Sequence, residues 1–242
     1  MTRLLRLLTC ALAVALAGAT SYAAAPRPVL YLLPGTGADE RLFHRLDLGA
    51  YDTVNVRLPI PLRRETLAEY AARIAREQID TTRRPFALLG VSLGGMIATE
   101  LAEQLEPDAV VIVASAKTRR ELPPGYRLGR RVPVHRLVGG RTMRWFTRLV
   151  QPRFEPMAPK QRDLFIEMLY AKDPAFLRRA VAMMVTWDRT VAPPRIVHLH
   201  GEHDRTLPIE HTDPTLAVRG EGHMLTYSRP GVVELVLAEA VR

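Results

Sequence analysis

The stretch Leu88-Leu89-Gly90-Val91-Ser92-Leu93-Gly94-Gly95-Met96 constrains this chain more than any other, because an apolar run stops at a serine fenced by glycines and a helical pattern follows. It reads as strand, sharp turn, helix. Such a turn drives the serine toward positive φ and closes so tightly that the positions two before and two after it can carry almost no side chain. Gly90 and Gly94 stand at those positions. A lone serine hydroxyl is a poor nucleophile. A tight turn improves it by letting a base reach one side while backbone N–H groups face the other. Ser92, at the centre of G-x-S-x-G, is therefore a candidate nucleophile.

Around this turn, strands and helices alternate. Val29 to Leu33 and Ala109 to Ala114 are continuous apolar runs, as expected of strands buried on both faces. Thr53 to Leu58 reads as a strand ended by Pro59 and Pro61, Phe86 to Val91 as the strand leading to Ser92, and Ile196 to Leu199 and Thr215 to Val218 as the last two. Helical spacing occupies Thr66 to Ile79, Leu93 to Leu105 and Gly231 to Val241, and Asp39 is placed to cap a short helix through Phe43. The pattern predicts an α/β fold with a mainly parallel sheet, flanking helices and right-handed crossovers. In such sheets the working loops gather beyond the carboxyl ends of the strands, where Thr36, Ser92, Asp204 and His223 would all fall. From Lys117 to Arg189 the rhythm breaks: helix-like stretches run from Arg141 to Val150, Lys160 to Tyr170 and Pro174 to Trp187, with no convincing strand.

Three further segments accompany the serine turn in a fixed order. They are Leu32-Leu33-Pro34-Gly35-Thr36-Gly37, His200-Gly201-Glu202-His203-Asp204 and Gly220-Glu221-Gly222-His223. Together they resemble the α/β-hydrolase superfamily, whose triad runs Ser, Asp, His along the chain. The resemblance covers 28–242, with the middle third less specific. It implies Ser92 as nucleophile, His223 as base and Asp204 as the acid that holds its imidazole, with the backbone N–H groups of Thr36 and Leu93 as oxyanion donors. Whether Thr36 or Gly37 points inward stays open. It also implies that 117–189 is a helical cap inserted over the strand ends. Asp213 and Asp188 compete for the acid role but lack the His-Gly-x-x-Asp setting.

The expected reaction is acylation of Ser92 and hydrolysis of the acyl-enzyme. Carboxylic esters are the first substrate class; thioesters, amides and lactones use the same apparatus. Within the cap, Met183, Met184 and Trp187 are expected to touch the acyl group of a small-molecule substrate and to set chain-length preference. No cofactor or metal is expected. The rival readings are a non-catalytic binding module on the same fold and a metal-dependent hydrolase using His198, His200, His203 and Asp204. The spacing of the latter, His-x-His-x-x-His-Asp, departs from the metallohydrolase pattern it superficially resembles.

A chain of 242 residues, 48% hydrophobic and 24% charged, suits one domain with an insertion. The basic Met1-Thr2-Arg3-Leu4-Leu5-Arg6, the apolar Leu7 to Ala17 and the small residues around Ala23 read as a secretory signal over 1–23, cleaved near 23–25, against a signal anchor. Cleavage would remove Cys10, the only cysteine, along with thiol chemistry, and predicts a secreted or periplasmic protein without stable membrane insertion. The formal charge of +9 falls by two with Arg3 and Arg6 gone. Nucleic acid is not an expected partner, because the arginines are spread through amphipathic segments without a nucleic-acid motif.

Overall fold

The computed structural model describes residues 27–132, 138–155 and 157–242. The signal expected over 1–23 lies outside them. The first strand, β1 (Val29–Leu33), is fully buried and pairs in parallel with β2 (Asp52–Asn55) and β3 (Phe86–Val91). With β4 (Ala109–Val113), β5 (Ile196–Gly201) and β6 (Leu216–Val218) they form one sheet of order β2-β1-β3-β4-β5-β6, every pairing parallel.

The continuous apolar runs have a direct cause in this layering, because alternate residues of each strand feed opposite cores. Leu30, Leu32, Ala87, Leu89, Val111 and Val113 pack on one face, and Tyr31, Leu33, Phe86, Leu88, Val110 and Ile112 on the other. Helix α1 (Leu67–Gln78) buries the stripe Leu67, Tyr70, Ala71, Ile74 and Ala75. It opens with a reciprocal cap, in which Thr66 Oγ1 accepts from Glu69 N at 3.2 Å and Glu69 Oε2 accepts from Thr66 N at 2.9 Å. Helix α2 (Leu93–Leu105) follows Ser92 directly and ends on Glu106 at φ 47°, before Pro107.

Two expectations need correction. Strand β2 stops at Asn55 rather than running to Leu58, because the Arg57 backbone pairs with a side chain instead of the sheet. Arg57 N donates to Gln78 Oε1 at 2.8 Å, and Gln78 Nε2 donates to Arg57 O at 2.7 Å. Between β4 and β5 an additional helix, α3 (Pro124–Arg131), precedes α4 (Gly140–Phe154), α5 (Pro159–Ala171) and α6 (Pro174–Thr186). Pro123-Pro124-Gly125 reads as a breaker in sequence, yet proline at the first helical position starts a helix at no hydrogen-bond cost. Two closing helices, α7 (Leu225–Ser228) and α8 (Pro230–Ala240), follow β6.

Candidate active site

At the end of β3 the chain turns through Ser92 at φ 55°, ψ −120°, a conformation that a non-glycine residue holds only when its surroundings enforce it. They do so on three sides. Ser92 N donates to Val113 O at 3.0 Å, and Ser92 O accepts from Gly95 N, Met96 N and, at 2.7 Å, Ser115 Oγ. A Cβ at Gly90 would sit inside the van der Waals shell of the Gly94 and Gly95 backbone, and one at Gly94 would overlap the Leu33 carbonyl. The glycines expected on either side of the serine are thus required by backbone packing against the helix and against β1.

Because the strands are parallel, the loops after β1, β3, β5 and β6 open on the same edge, and they bring together residues far apart in sequence. His223 Nε2 lies 3.1 Å from Ser92 Oγ, and His223 Nδ1 lies 2.7 Å from Asp204 Oδ2. A carboxylate can only accept, so Nδ1 carries the proton and Nε2 offers its lone pair to the serine. The second oxygen of Asp204 accepts from Thr206 N at 2.9 Å and Leu207 N at 2.8 Å, which fixes the carboxylate plane. Asp213 and Asp188, the competing acids, are exposed, and the carboxylate bonded to His223 Nδ1 is that of Asp204.

Burial by itself would push the His223 imidazole down. The Asp204 charge and hydrogen bond, with the Glu155 charge beyond, outweigh it and leave the ring above its ordinary value. For Asp204, burial pulls upward, but the His223 charge and the hydrogen bonds from His200 and His223 hold the carboxyl well below the usual carboxylate range.

Glu155, at the end of α4, escapes sequence inspection. It is buried, and its Oε1 accepts from Arg205 N at 2.6 Å, Thr206 N at 2.5 Å and Thr206 Oγ1 at 2.8 Å. Its Oε2 accepts from His223 N at 3.3 Å. One carboxylate from the helical segment thereby ties the loop carrying Asp204 to the loop carrying His223. Glu155→Gln would place an amide N–H against the His223 N–H. It is expected to cost about 1–3 kcal/mol of stability, read by denaturant titration. Loss of its charge should also move the acid limb of any His223-dependent rate to lower pH, because the neutral imidazole then persists further down the pH scale. An unmoved limb would confine Glu155 to a packing role.

The cluster considered as a metal site is not brought together as a ligand set. His200 Nε2 donates to Leu207 O at 2.7 Å, so its Nδ1 must accept, and His198 Nε2, at 3.0 Å, donates to it. Both rings are buried and His198 is pushed down to about 3, first by burial and then by His200, while His203 is exposed. Among the described residues no group of three or more His, Cys, Asp or Glu converges on a point. His200 Nε2 also lies 3.3 Å from Asp204 Oδ2, which makes it a support of the acid loop.

Ser92 and His223 open onto a cavity of about 160 Å³. Thr36 and Gly37 form one side, and a Cβ at the neighbouring Gly35 would lie 3.2 Å from Ser92 Cβ. Leu93, the first residue of α2, has an N–H with no acceptor inside its helix. Three helical stripes complete the wall: Met143, Thr147 and Gln151 of α4, Phe165 and Leu169 of α5, and Leu177, Val181 and Met184 of α6. Met184 Sδ lies 3.7 Å from Thr36 Oγ1.

Two of the expected wall residues are elsewhere. Met183, one helical step of 100° from Met184, is buried in the same core but does not line the cavity. Trp187 is buried, so its indole N–H needs a protein acceptor, and Glu100 of α2 supplies it at 2.7 Å while also binding Arg189 at 2.9 and 3.0 Å. Spacing at i, i+4 and i+7 or i+8 tells which residues of a helix share a face, but not which face meets the cavity.

A parallel sheet with a serine on this turn, facing a histidine and an acid from later loops, defines a class. The model described as the alpha/beta hydrolase family matches residues 12–234, and the chain belongs to that family; it is a hydrolase. Among solved structures it is similar to a hydrolase from Pseudomonas aeruginosa PA01 (17% identity, 90% of this chain and 91% of that one, TM-score 0.65). It is also similar to a thermophilic esterase from Thermogutta terrifontis (16%, 88% and 88%, 0.67). A third likeness is to a lipase-esterase related protein from Clostridium acetobutylicum ATCC 824 (13%, 89% and 95%, 0.63). At these identities the likeness is one of fold. No curated protein matches the chain in sequence.

Proposed function

We propose that the protein is a serine esterase for short acyl chains. The observation that carries the reading is the placement of His223 between Ser92 at 3.1 Å and Asp204 at 2.7 Å, on the wall of an apolar cavity. Ser92 Oγ gives its proton to His223 Nε2 as it attacks the acyl carbon, and Asp204 stabilises the imidazolium that forms. The N–H groups of Thr36 and Leu93 receive the oxyanion, each worth about 2.7–4 kcal/mol of barrier. His223 then protonates the leaving alcohol, and water repeats the sequence in reverse to free the acid and Ser92. The same acyl-enzyme would serve a thioester, amide or lactone. A fluorophosphonate is expected to phosphonylate Ser92 Oγ with loss of fluoride, leaving the phosphonyl mass on the serine, with turnover unaffected by a chelator. A folded protein inert to the reagent would favour a binding module, and turnover lost to the chelator would favour a metal.

The size of the cavity supports the short acyl chain. An apolar cavity of about 150 Å³ holds one benzene, so 160 Å³ takes an acyl group of about six non-hydrogen atoms. Met184→Ala is expected to raise kcat/KM for longer p-nitrophenyl esters about tenfold relative to the butyrate ester, since one methylene in a good pocket is worth about 1–3 kcal/mol. Met183→Ala should instead cost about 2–5 kcal/mol of stability and leave the preference alone. Equal losses on all esters in Met184→Ala would place the selectivity elsewhere.

A further inference from the structure

Between Glu121 and Glu155 the sequence carries eight arginines and no aspartate or glutamate, while the formal net charge of the whole chain is +9. Almost all the excess charge thus sits in one stretch, 122–154, whose described parts form α3 and α4. None of the residues of α4 is buried. Trp145 is 57% exposed, Phe146 58%, Phe154 53% and Leu128 of α3 61%. Among the described residues, no carboxylate pairs with Arg130, Arg131, Arg141, Arg144, Arg148 or Arg153. The residues outside the described set contain no Asp or Glu. Arg130 and Arg131 join Arg119 and Arg120 around a cleft of about 630 Å³ floored in part by Leu122 and Trp187.

We infer that this stretch docks the protein on an anionic lipid bilayer. A surface made for water alone mixes charges of both signs and exposes few large apolar side chains. Here arginines of one sign alternate with Trp, Phe, Leu and Val, the composition of a helix lying in the headgroup region, with guanidinium groups on phosphates and rings at the acyl boundary. A nucleic-acid backbone would match the charge but leave the aliphatic and aromatic groups in water. The docking proposed for this stretch is peripheral; no described helix is long and apolar enough to cross a membrane. The opposite face of α4, through Met143, Thr147 and Gln151, lines the Ser92 cavity, so the bilayer would lie one helix away from it. The surface stands on its own charge and exposure; only its consequence for substrate delivery rests on the esterase reading.

The test is co-sedimentation of the full chain with vesicles of phosphatidylcholine alone and of equal parts phosphatidylcholine and phosphatidylglycerol. Partition onto the anionic vesicles is expected to be at least about tenfold higher and to fall with salt. The double variants Trp145→Ser/Phe146→Ser and Arg141→Gln/Arg153→Gln should each lower it about tenfold while thermal melting stays unchanged. Residues 1–26 are present in every form, so binding owed to them would survive both variants and overturn the inference. Equal partition onto the two vesicle types would overturn it as well, as would capture by heparin with none by vesicles. A reading independent of variant folding is quenching by brominated phosphatidylglycerol. Of the two tryptophans Trp187 is buried, so quenching reports Trp145 at the bilayer, and its absence would overturn the proposal.

Discussion

Ser92→Ala is expected to lower kcat about a million-fold, and Asp204→Asn about 10⁴-fold, with melting temperatures near that of the parent. In the proposed mechanism the Ser92 oxygen makes the attack, and what remains without it is binding and oxyanion stabilisation. The aspartate acts at one remove. In Asp204→Asn the Oδ1 position can still accept from Thr206 N and Leu207 N, so the loop keeps its shape. The Oδ2 position becomes an N–H facing His223 Nδ1 at 2.7 Å, and the imidazole must then put its proton on Nε2, where it faces Ser92 Oγ and cannot take a second one. Turnover should fail through the wrong tautomer rather than through unfolding. Asp213→Asn, whose side chain is 95% exposed, is the control and should leave kcat unchanged. Full activity in Asp204→Asn with loss in Asp213→Asn would move the acid role to Asp213, and retained turnover in Ser92→Ala would end the serine mechanism.

The second large effect is on folding. Gly94→Ala is expected to cost more than about 3 kcal/mol, beyond the usual range for overpacking, and to lower Tm by roughly 10 °C or more. The added methyl would overlap the carbonyl of Leu33 and stand 2.7 Å from Pro34 O. Both are backbone atoms at the end of a central strand, so no rotamer change relieves the contact and α2 would have to retreat from β1. Gly125→Ala is the contrast, because nothing lies within 4 Å of its Cβ position and alanine is the better helix former by about 1 kcal/mol. It should be neutral or stabilising. A Tm for Gly94→Ala within a degree or two of the parent would show that helix and strand do not press together there.

The helical arginines give a measure of how far sequence and structure each reach. Their number and lack of acidic neighbours are plain in the chain, yet only the fold sorts them. Arg144 and Arg148 rest on the Tyr170 ring, while Arg130 and Arg131 face an open cleft. Likewise the sequence shows that Met183, Met184 and Trp187 are apolar residues on a buried helical face, and stops there. Whether that face meets substrate or core depends on a rotation of 100°, and on whether Glu100, in a different helix, claims the indole.

The sequence by itself determined the alternation of strand and helix, the glycine-fenced turn at Ser92 and the order Ser92, Asp204, His223. The first two are legible because they rest on local physics, apolar periodicity and the φ of a tight turn, while the order follows the resemblance to the α/β-hydrolase superfamily. The tertiary structure alone decided that Glu155 bridges the acid and histidine loops, that His198 and His200 spend their nitrogens on each other and on Leu207 O, and that Leu177 and Val181 join Met184 on the cavity wall. Glu155 meets partners 50 to 68 residues away. A carboxylate's neighbours at that separation are set by how helices pack over the strand ends, and apolar periodicity says that a helix face is covered without saying by what.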